Sequence, residues 1–422
     1  MTELSVAADA DLARRMFDEL AQNTRIGRGI VRDTYGKGEN FAHGLAERTA
    51  RALGLEIATD AARNLYMTLP GRQRDLPRLV TGSHMDSVPQ GGNYDGAAGV
   101  VAGLAAVAGL KAQGIQPERD VTVMAIRGEE AAWFNSSYIG SHAAFGKLTR
   151  EALATPRSDT QRPLADYMAE CGCDLAALRR GAAHFSPGDV GAFLEVHIEQ
   201  GPVLEQAGLP VGIVTGIRGC LRYADARCYG TYAHSGAAPR SARHDAVAAT
   251  VALLHRLGEI WREIEANGDD LVFTVGQLST DPTYDGPSKV AGETRFVLDF
   301  RGLETPVMQR AGDAAVRLAG EIGRAHKVRF DLGEARHSTP AVIDAGMRRN
   351  LAALAADLEI PSVELASGAG HDAAVFSSLG IATGMIFIRN ANGSHNPDEA
   401  MALEDFSLAA GLLATYFARD GR

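Results

Sequence analysis

Five short stretches concentrate side chains able to hold a divalent metal: SHMDS (83–87), GGNYDG (91–96), RGEEAAWF (127–134), EVHIEQG (195–201) and GSHNPDE (393–399). His84 and Asp86 are two residues apart, hence on one side of an extended chain, where the carboxylate can orient the imidazole. Asp95 stands among Gly91, Gly92 and Gly96. That backbone freedom lets a carboxylate reach into a cleft and bridge two ions, and two metals ~3.5–4 Å apart form a clamp for hydrolysis. The consecutive Glu129 and Glu130 diverge if they end a strand, so that one binds metal while its neighbour acts as general base on water. A buried pair of like charges is costly without cations beside it. Singly, each stretch has an ordinary alternative: a solvated His–Asp pair, a charged helix face, a plain turn. Five of them, each in a loop or after a strand pattern, weigh against that alternative for the set.

The elements that must carry these stretches alternate in type. Asp11–Gln22 is amphipathic, Leu79–Ser83 and Val121–Ile126 are apolar runs ending in polar clusters, and Gly99–Leu110 reads as a buried helix between them. Strand, helix, strand is the order of an α/β layer fold. In AFLEVHIEQ (192–200), Leu194, Val196 and Ile198 share one face of a strand, and Glu195, His197 and Glu199 share the other. From 211 to 330 the pattern changes to strands at 221–229, 271–278 and 293–300 with helices at 246–266 and 306–325, which predicts a compact α+β domain inserted in the first. Residues 1–210 and 331–422 then form one domain, with a helix at 344–358 and a strand at 382–388 in the returning part.

Composition narrows the class. The 422 residues carry 42 Lys plus Arg against 52 Asp plus Glu, a net charge of −10, which disfavours nucleic acid and anionic membranes as partners. Four cysteines, Cys171, Cys173, Cys220 and Cys228, are too few for a disulfide framework and fit a reducing, cytoplasmic setting. The acidic start lacks the basic and apolar stretches of a signal peptide, and the longest apolar run falls short of the ~20 residues that cross a bilayer. No Gly-Lys-Ser/Thr follows the Gly91–Gly99 region, so a phosphate loop is excluded.

Taken together, these motifs resemble the M20-type metallohydrolases, in particular their amidase, hydantoinase and N-carbamoylase branch. TGSHMDSVPQGGNYDGAAG (81–99) and SHNPDEA (394–400) carry the family likeness, and HIEQGPVLE (197–205) separates the branch from dipeptidases and aminoacylases. The resemblance implies a catalytic domain with a mixed sheet flanked by helices, and an inserted α+β domain serving as lid and dimer interface, with hinges near Val211 and Phe330. It implies two divalent ions, Zn²⁺ or Mn²⁺ first and Co²⁺ or Ni²⁺ as options. His84, Asp95 and His197 would hold one, and Asp95, Glu130 and His395 the other. Glu129 would take a proton from the water bridging the metals and deliver it to the leaving nitrogen, with Asp86 orienting His84. His234, in GTYAHSGAAP (230–239), would stabilise the oxyanion, with action across the interface of a homodimer as one option. Gln200 and His371 match residues that contact the ureido or carboxylate part of a substrate, and Arg301 matches an arginine that pairs with its carboxylate. The implied activity is cleavage of a linear C–N bond in an N-carbamoyl amino acid or related ureido acid, a small-molecule carboxylate; the alternative is an N-acyl amino acid deacylase or dipeptidase.

Three positions depart from the pattern. Ser288 stands where the branch usually has an asparagine that also binds the substrate carboxylate. Arg240 follows Pro239 where methionine is common, and Arg389 precedes the SHNPDE loop. Either the substrate carries a second anionic or polar group, or the two arginines face solvent or pair with acids.

Overall fold

The structure is a computed structural model that describes residues 4–421. The chain divides into two compact units, one running through Thr215 and resuming at Val342, the other Gly216–Ala341.

The first unit is built on a mixed sheet. Its centre is four parallel strands in the order Thr383–Ile388, Val190–Ile198, Arg78–His84 and Val121–Ile126. Antiparallel strands flank it: Val211–Ile217 beside Thr383–Ile388 on one side, Leu65–Leu69 and then Glu56–Thr59 on the other. The central strands are buried along nearly their whole length because helices cover them. The helix Ala97–Ala112 is buried from Ala97 through Leu110. It lies close on the sheet because small residues face it: a Cβ on Gly99 would come within 2.3 Å of the Val196 carbonyl oxygen, and one on Gly103 within 2.7 Å of Val123. Leu403–Ala418 packs beside it, joining Phe406, Leu413 and Phe417 to the same core as Val100, Leu104 and Val107. Both the strand at 78–84 and the buried helix match what the apolar runs predict. Loops leave the carboxyl ends of the four parallel strands together, the place where open α/β sheets bind ligands.

The second unit is an antiparallel sheet in the order Val272–Thr280, Glu293–Gly302, Gly219–Tyr229 and Arg329–Asp331, with Ala335–Ser338 also on Gly219–Tyr229. Helices Ala246–Ala266 and Thr305–His326 close a core with Leu253, Leu257, Phe296, Leu298, Ala315 and Leu318. The expected limits of 211 and 330 both shift. Val211 pairs with Ile388 in the first sheet, and the short strands after 328 pair with Gly219–Tyr229 in the second. The Val272–Thr280 edge leaves Leu278 half exposed, and the neighbouring helix leaves Val251 55% exposed. Among the described residues no helix is long and apolar enough to cross a membrane.

Overpacking the helix–sheet contact tests this arrangement. Gly99→Val is expected to lower unfolding stability by about 1–3 kcal/mol, read as a lower urea midpoint at constant slope. An unshifted midpoint would mean that the helix is not seated on Val196.

Candidate metal centre

The strand ends deliver the predicted residues to one place. His84 closes Arg78–His84, and His197 is the penultimate residue of Val190–Ile198. Glu129 and Glu130 follow Val121–Ile126, and His395 lies in the loop after Thr383–Ile388. Two glycines shape the turns. Gly96, at φ +66°, lies so close under the His84 ring that a Cβ there would meet Cε1 at 2.4 Å. Gly128, at φ +64°, turns the chain so that the two glutamates follow in sequence without continuing the strand.

Asp95 lies at the centre. Its Oδ1 is 3.6 Å from His84 Nε2 and 3.3 Å from His197 Nε2, while Oδ2 is 3.4 Å from His395 Nε2. His395 Nε2 is in turn 3.3 Å from Glu130 Oε1. Two sets of convergent donors result, His84/Asp95/His197 and Asp95/Glu130/His395, sharing one carboxylate. All but His395 are buried. Glu129 lies beside them, its Oε2 4.0 Å from His84 Nε2, and it also falls within a His84/Glu129/Glu130 grouping. A further grouping, Glu195/His197/His371, lies beneath His197.

The electrostatics favour positive charge at this point. Burial pushes the Glu129 carboxyl well above the usual range, with Glu130 adding to the effect. Burial opposes ionisation of Asp95 too, yet the close approach of the His197, His395 and His84 rings holds its carboxyl well below that range. His395, against Asp95 and Glu130, is raised to about 10. The residues fit a metal ion on a second count: Asp95 Oδ1 is buried and accepts no hydrogen bond from protein, although an unsatisfied buried carboxylate oxygen is costly. The imidazole nitrogens around it stand beyond ordinary hydrogen-bond length, as donors converging on a cation do. Nitrogen and oxygen donors without thiolate are the chemistry of Zn²⁺ and Mn²⁺ sites.

The surrounding hydrogen bonds refine the expected roles. His84 Nδ1 is 3.4 Å from Asp86 Oδ1 and closer, 3.1 Å, to the Asp86 carbonyl. The Asp86 carboxylate mainly holds other groups: it accepts from Thr34 Oγ1 at 2.6 Å and from the backbone N–H of Glu129 and Glu130 at 3.1 and 3.3 Å. Asp86 thus fixes the turn carrying both glutamates. Gln200 Nε2 donates to Asp95 Oδ2, Ser394 Oγ lies 2.6 Å from both Asp95 Oδ2 and Glu399 Oε2, and Glu399 accepts from the N–H of Tyr94 and Asp95. Gln200 therefore touches the shared carboxylate. His371 is buried, its ring 4.5 Å from that of His197 and its Nε2 2.8 Å from Ser367 Oγ. Thr34, Ser394 and Glu399 were not singled out by spacing, although the last two stand inside the SHNPDE motif.

The other predicted residues fall in the second unit, apart from Arg389. His234 is exposed, and its Nδ1 accepts from the N–H of Gly236 and Ala237 at 3.2 Å each. Ser288 is its neighbour, with the Ser288 carbonyl accepting from Ser235 N–H at 2.8 Å, and Arg240 is exposed on the same loop segment. Arg301 lies at the far end of Glu293–Gly302, where Asp299 pairs with it at 3.2 Å. Eight residues of strand separate Glu293 from Arg301, about 27 Å at about 3.4 Å per residue, so the two groups of residues are not brought together within this unit. Arg389 is not a free cation: its guanidinium forks onto Asp405 at 2.8 and 3.0 Å.

Comparison with known proteins accords with this geometry. The N-carbamoyl-L-amino acid amidohydrolase of Geobacillus stearothermophilus is 34% identical over 404 residues, covering 94% of this chain and 96% of that one. The allantoate amidohydrolase of Bacillus subtilis is 30% identical over 386 residues, 91% of each chain. The crystal structure of a hydantoinase/carbamoylase family amidase from Burkholderia ambifaria superposes with a TM-score of 0.88 at 26% identity, over 99% of both chains. Residues 80–419 match the peptidase family M20/M25/M40, and the chain belongs to that family, in its hydantoinase/carbamoylase branch.

Proposed function

We propose that this protein, a hydrolase of linear non-peptide C–N bonds, is a binuclear metal-dependent amidohydrolase acting on an N-carbamoyl amino acid or a related ureido acid. The observation that carries the reading is the single Asp95 carboxylate between two sets of donors; relatives named for carbamoyl amino acids and allantoate support the substrate class. Bound there, two divalent ions, Zn²⁺ or Mn²⁺ before Co²⁺ or Ni²⁺, supply Lewis-acid polarisation and acidify water.

The chain's own groups do the rest. Glu129, a carboxylate made more basic by burial, accepts a proton from the attacking water. The water oxygen bonds to the ureido carbon, the carbon–nitrogen bond breaks, and Glu129 returns the proton to the departing nitrogen. Asp86 keeps Glu129 in reach through its backbone N–H. His234 serves the oxyanion: because Nδ1 accepts two backbone N–H groups, the neutral ring carries its proton on Nε2, where it can donate. Arg301, oriented by Asp299, takes the substrate carboxylate, with Gln200 and His371 lining the ureido end; Ser288 and Arg240 stand near His234 for a further polar group. A small acid cannot span the ~27 Å of strand that separates Arg301 from the His234 tip, so we assign the two to sites completed by different subunits of a homodimer. The open Val272–Thr280 edge with its exposed Leu278, and the exposed Val251 of the neighbouring helix, suit that dimer. The four cysteines are free, which fits the cytoplasm.

Four outcomes test this. Glu129→Gln retains two metals per chain by elemental analysis and loses about 10²–10⁴ in kcat; loss of metal would exchange the roles of Glu129 and Glu130. Chelation lowers the melting temperature, and restoring Mn²⁺ to a hundredfold excess over its Kd returns about 2.7 kcal/mol for each site filled; a melting curve indifferent to chelator argues against a metal centre. A screen that reads both ammonia and free amino acid gives the two together from N-carbamoyl amino acids and neither from N-acyl amino acids; free amino acid without ammonia from the acyl compounds points to a deacylase. With Arg389 paired, Arg240 is the arginine left, beside Ser288, for the second-anion reading, which expects N-carbamoyl-aspartate to turn over faster than N-carbamoyl-alanine; the opposite ranking sinks it.

A further inference from the structure

Arg32 is among the most deeply buried large side chains of the described residues, 0% exposed. Among the described residues no carboxylate meets it directly. Its Nε donates to the Met85 carbonyl at 2.8 Å, Nη2 to the Asp95 carbonyl at 3.1 Å, and Nη1 to the carbonyl and Oδ1 of Asn93 at 3.4 Å each. Its own backbone pairs with Ser87, N–H to Oγ at 3.0 Å and carbonyl from Ser87 N–H at 2.8 Å. One guanidinium therefore ties the start of the loop that follows His84 to its end at Asp95. Two residues on, Thr34 reaches the Asp86 carboxylate, and Ile30 exchanges both backbone hydrogen bonds with Gly91. The segment lies outside the residues 80–419 that match the family.

A buried guanidinium is costly unless its donors are met and its charge is balanced. Here four donor contacts are met by oxygens of the two ligand-bearing turns, and the charge lies in the field of Glu399, Asp95, Asp86 and Glu130. A planar fork with fixed donor directions sets the relative position of three carbonyls at once; an ammonium of the same charge can satisfy one of them at a time. Fork geometry, and not positive charge, is what this place demands, because added positive charge next to metal ions works against their binding.

We infer that Arg32 is a positioning residue of the metal centre, a brace from the N-terminal segment that fixes His84 and Asp95 in mutual register, with Thr34 doing the same for Asp86. The inference rests on the function proposed above and goes beyond it, since it assigns a role to residues that touch neither metal nor substrate.

The test uses the full-length protein stripped of metal and then titrated with Mn²⁺ alone in equilibrium dialysis. Arg32→Lys, which keeps the charge and loses the fork, is expected to weaken Mn²⁺ affinity 10–100-fold. At saturating Mn²⁺ it lowers kcat on N-carbamoyl-alanine with little change in KM. Thr34→Val, nearly isosteric, keeps the fold if Arg32→Lys does not, and is expected to lower kcat at saturating Mn²⁺ because Asp86 then holds the Glu129 turn less firmly. A lower melting temperature with wild-type Mn²⁺ affinity and kcat in both variants overturns the brace and leaves the proposed function standing. Wild-type protein that binds none of Mn²⁺, Zn²⁺, Co²⁺ and Ni²⁺ in the same dialysis overturns the proposed function and the brace with it.

Discussion

The arrangement turns on one carboxylate whose two oxygens face different sets of nitrogen and oxygen donors. Asp95 reaches that position only because Gly96 lets the chain pass directly beneath the His84 ring, and because the helix that follows is made of residues small enough to lie on the sheet. Its partners arrive from the ends of three neighbouring parallel strands and the loop after a fourth. A sheet with parallel neighbours places those ends side by side; an antiparallel one would send alternate loops to the opposite edge. The acidity of the cluster is thus a property of topology, and histidines and a buried arginine offset part of it, as would the cations proposed to bind there.

Much of this was legible in the sequence, for physical reasons. The strands that end at the cluster carry apolar runs because both faces are covered, and each stops at polar or charged residues that cannot be covered in the same way. The helix at 97–112 could be read as buried because its run of alanine, valine and glycine has no polar face. The limits of the second unit were not legible. Arg329–Asp331 and Ala335–Ser338 are short, partly exposed and charged, so they show no alternation, and VGIVTGI (211–217) reads as a strand whichever sheet it joins.

The site was readable where chemistry is written in side chains and hidden where it is written in backbone. His84, Asp95, Glu130, His197 and His395 stand in motifs whose residue types announce metal binding. Arg32 is a single arginine in a loop whose partners are carbonyl oxygens, and no residue type signals those. Asp86 was read for the imidazole two residues away, yet its shorter contacts go to Thr34 and to amides more than forty positions on. Arg389 looked like a spare cation because Asp405, sixteen residues later, belongs to a different element.

The order of strands in the first sheet also bears on how the chain is made. Thr383–Ile388 lies between Val190–Ile198 and Val211–Ile217, so a central position of the sheet belongs to the segment synthesised last of the three. Until it emerges from the ribosome, Val190–Ile198 has an unpaired edge along the side that Thr383–Ile388 will occupy, and the second unit, whose strands and helices are contiguous in sequence, is able to fold before the first can close. His395 follows that strand by seven residues. The step that completes the sheet therefore also brings in His395, the last of the residues proposed to hold metal, which makes the candidate metal centre a late marker of a finished fold.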